Sequence, residues 1–236
     1  MGLTSIRENL LRIQERIAAA AHRAGRRADE VTIVAVSKTH AAEAIREAYD
    51  AGLRHFGENR VQEWEAKRGK IEDLQGTWHL VGHLQSNKAS RAAKLFDCVD
   101  SVDDFEIAQK LERARMELEG AKKSRVLIEA RVAKEETKSG AEIEALPLLA
   151  EKVMAFPSLE LAGLMCIPPF FEDQEKVRPY FRSLREVRDD LARRLGQTLP
   201  VLSMGMSHDF EVAIEEGATE IRVGTALFGQ RPATKK

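Results

Sequence analysis

Lys38 closes the run Val31-Thr-Ile-Val-Ala-Val-Ser-Lys38, in which six of the first seven residues are apolar or β-branched. Such a run reads as a buried parallel strand. A lysine at its end stands half in the core. Burial there disfavours the ammonium form, and a neutral amine can condense with a carbonyl to an imine. The competing reading is a lysine whose stem packs while its head reaches water.

Two segments far along the chain read as a phosphate cradle. Ser203-Met-Gly-Met-Ser207-His-Asp-Phe carries glycine and hydroxyls and leads into a helical stretch. Ile221-Arg-Val-Gly224-Thr225 ends another apolar run with Gly-Thr. Backbone N–H groups, the Ser207 and Thr225 hydroxyls and the close approach allowed by Gly224 suit a dianion. Taken singly, Ser207 could merely cap a helix and Gly224 merely turn the chain. A lysine opposite a phosphate cradle fits two ligands: a phosphorylated sugar held as an imine, or pyridoxal 5′-phosphate. Arg222 bears on the choice. Two residues before the Gly-Thr turn, it points into the same space and can donate to a pyridine nitrogen without giving up its own proton.

The elements that would bring these residues together alternate. A leading amphipathic helix over 1–25 carries Leu3, Ile6, Leu10, Ile13 and Ile17 at helical spacing, with Thr4 as its expected start. Strand-like runs follow at 31–36, 54–57, 78–81, 97–100, 125–132, 161–166, 199–202 and 220–223. Helical stretches lie between them near 41–51, 59–70, 86–95, 103–120, 141–155, 173–195 and 208–216. Eight strands alternating with helices predict a single α/β domain over 1–236, a (β/α)8 TIM-type barrel with an extra N-terminal helix. An open doubly wound sheet is the runner-up, weakened because no Gly-x-Gly-x-x-Gly follows the first strand. Gly52 and Gly217 are placed to end helices, and Pro168-Pro169 to stop strand six. The polar tail from 230 to 236 is expected to fray.

Lysine plus arginine total 37 and aspartate plus glutamate 38, so no charge excess argues for nucleic acid. No run approaches membrane-spanning length, no signal peptide is visible, and Ile6 breaks a myristoylation motif. Cys98 and Cys166 sit in apolar runs and read as buried free thiols of a reducing compartment, so the expectation is a cytoplasmic protein.

The chain resembles the pyridoxal phosphate homeostasis proteins, a family similar to the N-terminal domain of alanine racemase. The resemblance rests on Ala35-Val-Ser-Lys38, Phe56-Gly-Glu-Asn-Arg-Val-Gln-Glu63, Trp78-His-Leu-Val-Gly-His-Leu-Gln-Ser-Asn-Lys88, Asp100-Ser-Val, Glu135-Glu-Thr-Lys-Ser-Gly140, Gly163-Leu-Met165, Leu202-Ser-Met-Gly-Met-Ser-His-Asp209 and Arg222-Val-Gly-Thr-Ala-Leu-Phe-Gly229. It implies a fold-type III barrel with pyridoxal 5′-phosphate joined to Lys38. Ser207, Gly224 and Thr225 then fall at the phosphate and Arg222 at the pyridine nitrogen. Asn59 and Met204, inside the matching stretches, complete the expected cofactor-binding set. Two departures stand out: Ala41 where the family often has proline, and Glu129-Ala-Arg131 where it tends to read Gln-Val-Asn.

Racemisation needs an acid and a base on opposite faces of the cofactor. In alanine racemase a tyrosine from a second domain supplies one of them. Here Tyr49 and Tyr180 both fall in helical stretches, and the chain stops soon after strand eight. The resemblance therefore implies a monomeric cofactor carrier or buffer, with apo forms of pyridoxal-phosphate enzymes as potential partners. A weak amino-acid racemase or related enzyme is the alternative. His79, His83 and Lys138, near expected strand ends, are the candidates for a second base.

Overall fold

The computed structural model describes residues 5–133 and 139–230. The expected helix start at Thr4, the Lys138 segment and the tail beyond 230 lie outside them. Eight parallel strands close into a barrel in sequence order. They are β1 (Thr32–Val36), β2 (His55–Glu58), β3 (Thr77–Leu80), β4 (Cys98–Val102), β5 (Ser124–Glu129), β6 (Leu159–Met165), β7 (Val201–Met206) and β8 (Glu220–Val223). Closure comes from β1 pairing with β8, Val34 lying opposite Arg222.

Nine α-helices of the described residues surround and cap the barrel. They are α1 (Ile6–Arg23), α2 (Ala42–Asp50), α3 (Val61–Arg68), α4 (Ala89–Leu95), α5 (Phe105–Met116), α6 (Leu146–Met154), α7 (Arg178–Leu195), α8 (Phe210–Glu215) and α9 (Thr225–Phe228). The four-residue α9 was absent from the sequence reading, because one turn leaves no periodicity to see. Several other bounds move. Strand seven runs to Met206 instead of stopping near 202. The stretches expected to be helical from 86, 141 and 173 begin as 3-10 turns at Ser86–Lys88, Ile143–Ala145 and Gln174–Val177.

Helix α1 starts one residue later than the sequence suggested. Ser5 is its N-cap: the hydroxyl accepts the Glu8 N–H, and the Glu8 carboxylate accepts the Ser5 N–H. That reciprocal pair satisfies two donors the helix leaves open. The face of Ile6, Leu10, Ile13, Ile17, Ala20 and Ala21 is buried. It packs against α8, α9 and α2. Asn9 Nδ2 donates to Leu227 O at 2.9 Å, and Arg16 pairs with Glu211 at 2.9 Å. The extra helix is therefore built into the ring. Gly52 and Gly217 take φ of 110° and 101° after α2 and α8, where a side chain would be strained.

Alternation along the strands divides two kinds of interior. Ala35, Phe56, Leu80, Val99, Leu164 and Ile221 face outward into the main core between barrel and helices. Inside the barrel, small apolar clusters (Val34, Val36 and Val81; Leu127, Ala162, Met165 and Val201) share the space with charge. His79 Nδ1 meets Asp100 Oδ2 at 2.9 Å, its Nε2 meets His55 Nδ1 at 3.0 Å, and Arg125 pairs with Glu220. Burial by itself would lower His79, but the Asp100 carboxylate outweighs it and holds the imidazolium well above its ordinary value. His79 can thus donate from both nitrogens. Burial and the neighbouring His79 charge push His55 down to about 4.

No helix among the described residues is long and apolar enough to cross a membrane. Cys98 and Cys166 are both buried and free.

Candidate cofactor site

A cavity of about 410 Å³ opens at the C-terminal ends of the strands. Lys38, Asn59, Ser207, Arg222, Gly224 and Thr225 all line it. Six of the seven expected site residues, drawn from four strand exits, thus share one space. This is where barrels of this type place their ligands, because the strand ends converge there while the loops remain free to vary.

Met204 does not join them. Its side chain is fully buried in the main core outside the barrel. β7 continues to Met206, so strand parity sends Ser203 inward and Met204 outward. Met206 lines the cavity instead, because the β7 register shifts between Ser203 and Met206, where Gly205 takes a φ of 90°. His79 is also displaced from its expected place: it is 0% exposed and lies in the charged layer inside the barrel. His83 does reach the cavity, with its ring 3.4 Å from Asp103. Lys138 falls outside the described residues.

Each wall has a local cause. Lys38 follows Val34 and Val36 on the inward side of β1, so the alternation that buries those valines aims the lysine into the cavity. Gly82 stands at the exit of β3, and a Cβ there would come within 2.3 Å of Asn59 O. Only glycine lets the two exits close. The β7 exit turns sharply because Asp209 Oδ1 accepts the Met206 N–H at 2.6 Å. That turn presents Ser207 and His208. His208 Nε2 meets Phe171 O at 3.0 Å, and its ring lies 5.0 Å from Phe170.

The cradle itself is visible in the hydrogen bonds. The Ser207 hydroxyl oxygen accepts the N–H of Gly224 and of Ala226, each at 3.2 Å. Two backbone donors therefore converge on one point at the rim, beside the exposed Thr225 hydroxyl. A Cβ on Gly224 would press to 3.3 Å from Val36 O, so this backbone passes close to β1. The donor set suits a phosphate, whose oxygens accept several N–H and O–H bonds at once.

Arg222 is 4% exposed and firmly held. Its Nη1 donates to Ser203 O at 2.7 Å and Ser203 Oγ at 2.8 Å, and its Nη2 donates to Cys166 O at 2.8 Å. Those bonds use three of five N–H groups, leaving capacity for a ligand acceptor. An amine, a fixed guanidinium and a phosphate cradle in one cavity fit pyridoxal 5′-phosphate end to end. Val36, Val81, Ile167 and Met206 give the walls for an apolar ring.

The two family departures have plain outcomes. Ala41 is the N-cap of α2 without a side-chain bond, and the helix forms. Glu129 is buried at the end of β5, accepts from Ser139 Oγ at 2.9 Å and has its carboxyl raised by burial. Arg131 pairs with Glu142. Neither residue lines the cavity. Tyr49 and Tyr180 lie in α2 and α7, against Arg54 and Phe171, outside the barrel. Met206 and His208 are among the cavity residues that the sequence did not single out. Simple alternation does not reach them: the β7 register shifts between Ser203 and Met206, and His208 sits on the turn that Asp209 closes.

The family model for the N-terminal domain of alanine racemase matches residues 4–232. A pyridoxal phosphate homeostasis protein of Aquifex aeolicus is 47% identical over 224 residues, covering 95% of this chain and 97% of that protein. One from Escherichia coli is 41% identical, over 99% of this chain and 100% of its own. The structure of PipY from Synechococcus elongatus with pyridoxal phosphate bound superposes with a TM-score of 0.81 at 40% identity, covering 92% of this chain and 100% of that one. Alanine racemase of Clostridium difficile shares the fold, at a TM-score of 0.74 and 15% identity, over 98% of this chain and 58% of that one. With the barrel and the cavity in view, the chain belongs to the alanine racemase N-terminal domain family and, within it, to the pyridoxal phosphate homeostasis proteins.

Proposed function

We propose that this protein binds pyridoxal 5′-phosphate covalently at Lys38 and holds it as a carrier or buffer in cellular cofactor homeostasis. The observation that carries this reading is the cavity itself. It places the Lys38 amine, the Arg222 guanidinium and the Ser207–Gly224–Thr225 cradle around one space. PipY, with pyridoxal phosphate bound, and the homeostasis proteins of similar sequence support it.

The cofactor brings an aldehyde that captures primary amines and a ring that can withdraw electrons from them. The chain's residues do the rest. Lys38 would hold the group through its side-chain amine, to which the group would offer its aldehyde. The Gly224 and Ala226 N–H groups fix the Ser207 hydroxyl, which together with the Thr225 hydroxyl would donate to the phosphate. Arg222 would donate a hydrogen bond to the ring nitrogen and so leave the ring a weak electron sink. This suits storage more than turnover. A cytoplasmic monomer that hands cofactor to apo enzymes completes the proposal.

One observation favours a second reading, weak amino-acid chemistry. His83 lines the cavity with Lys38 and has Asp103 at 3.4 Å to orient its ring.

The test is the visible spectrum of the purified protein. A yellow imine band, trapped by borohydride as a pyridoxyl group on Lys38 and lost in Lys38→Ala, is the expected result. An unchanged band in Lys38→Ala, or a sugar-phosphate imine without pyridoxal absorbance, would defeat it.

A further inference from the structure

Helix α3 grips the chain on both sides of Lys38. The Lys67 ammonium donates to the Ser37 carbonyl oxygen at 2.9 Å, to Glu58 Oε1 at 2.9 Å and to Glu63 Oε1 at 2.7 Å. Its three N–H donors are all used. Glu63 Oε1 also accepts the backbone N–H of Thr39. Glu58 Oε1 accepts the Ser37 hydroxyl at 2.7 Å. The residue before Lys38 is thus held twice and the residue after it once. The Lys67 and Glu58 side chains are 12% and 1% exposed, so this is an interior knot.

Thr39 shows why a grip is needed. Its φ is +68°, and it is the non-glycine residue of the described chain with positive φ. A β-branched residue avoids that region and persists there only where its surroundings over-determine it. The Glu63 bond to Thr39 N is such a determinant. The turn it enforces over Lys38 and Thr39 follows the end of β1 at Val36 and keeps Lys38 on the cavity. None of Glu58, Glu63 and Lys67 lines the cavity.

We propose that Glu63 and Lys67 are positioning residues that fix the Ser37–Lys38–Thr39 turn and so set how readily the Lys38 amine forms its bond to an aldehyde. The inference rests on Lys38 as the carrier. A fixed backbone limits where the amine can reach, and reaction rates and equilibria respond strongly to such placement. Burial raises the Glu58 carboxyl and the Lys67 ammonium counters part of that rise, so Lys67 also helps to keep a buried acid beside this turn.

The experiment compares two ligands. Pyridoxal 5′-phosphate reports the covalent bond. Pyridoxine 5′-phosphate has an alcohol in place of the aldehyde and reports the cradle alone. Glu63→Ala is the main variant, because Glu63 is partly exposed and its loss leaves the Lys67–Glu58 pair intact. It should weaken imine formation at least tenfold while changing pyridoxine phosphate affinity less than twofold. Glu63→Gln keeps an acceptor for Thr39 N and should recover most of the loss. Equal losses for the two ligands, no loss of imine in Glu63→Ala, or failure of Glu63→Gln to recover would each overturn the positioning role. Lys38→Ala, measured alongside, tests the carrier separately: imine absorbance persisting there defeats the carrier reading, whereas its loss with a normal Glu63→Ala defeats only the positioning role.

Discussion

The Ser207 hydroxyl at the exit of β7 accepts the backbone N–H of Gly224 at the exit of β8, at 3.2 Å. Two neighbouring strand ends are thereby tied at the point where a phosphate would sit. Ser207→Ala and Thr225→Val should each weaken pyridoxal 5′-phosphate binding. A hydrogen bond to a charged group is worth about 1.5–3 kcal/mol, or roughly ten- to a hundred-fold in affinity. Binding of unphosphorylated pyridoxal should barely change. Paired titrations of the two ligands check this, and equal losses would reduce both residues to structural supports.

Catalysis should be poor. Among the described residues, the titratable side chains lining the cavity are Lys38, His83, His208 and Arg222. His208 is engaged with Phe171 O beside the Phe170 ring, and Arg222 is tied to Ser203 and to Cys166 O. Incubation with L-alanine or L-serine in deuterated water should give little α-proton exchange. Robust exchange that Lys38→Ala abolishes would favour the amino-acid enzyme, with His83 as the first residue to replace.

Closing the barrel mouth depends on a missing side chain. Gly82→Ala would place a methyl 2.3 Å from Asn59 O, so the exits of β2 and β3 must separate. Overpacking of this kind costs about 1–3 kcal/mol. At roughly 2–4 °C per kcal/mol for a chain of this size, the melting temperature should fall by several degrees. Cofactor affinity should fall with it, since both exits line the cavity. A melting curve and a cofactor titration on the same sample test the coupling.

The histidine pair inside the barrel gives a pH signature. His55 is pushed down to about 4, first by burial and then by the charge on His79. Its unfolded value is near 6.5, so the unfolded chain binds more protons between those two values. Stability from this group is full above about pH 6.5 and is lost as pH falls toward 4. His55→Asn should flatten the decline of melting temperature across that window. A decline as steep as that of the unchanged protein would assign it to other groups.

The barrel and much of the cavity were legible because strand ends carry their own marks. An apolar run that stops at a lysine, or at Gly-Thr, announces both the strand and its exit. Met204 went wrong for a definable reason. The sequence run fades after Leu202, so the following residues read as loop, and the alternation that turns Met204 away from the cavity could not be applied. His79 failed the same way in reverse: it sits in mid-strand and on the inward side, with Asp100 and Glu220 on other strands. A charged layer inside a barrel is assembled from residues 55 to 220, and no single window contains two of its members at a telling spacing. The grip of Lys67 on Ser37 was likewise hidden, because its partners lie 9 and 30 positions away.

The place of α1 has a consequence for connectivity. A full eight-unit barrel needs a helix after its last strand, and among the described residues the helix after β8 is the four-residue α9. Helix α1 lies between α8 and α2, begins beside Leu227 and ends beside Glu215, where Arg23 Nε meets Glu215 Oε1 at 2.7 Å. It runs in the direction an eighth helix would take. Among the described residues the helix that precedes β1 thus completes the ring. A circular permutant that begins at β1 and carries α1 after α9 would restore the usual order without moving a single packing contact.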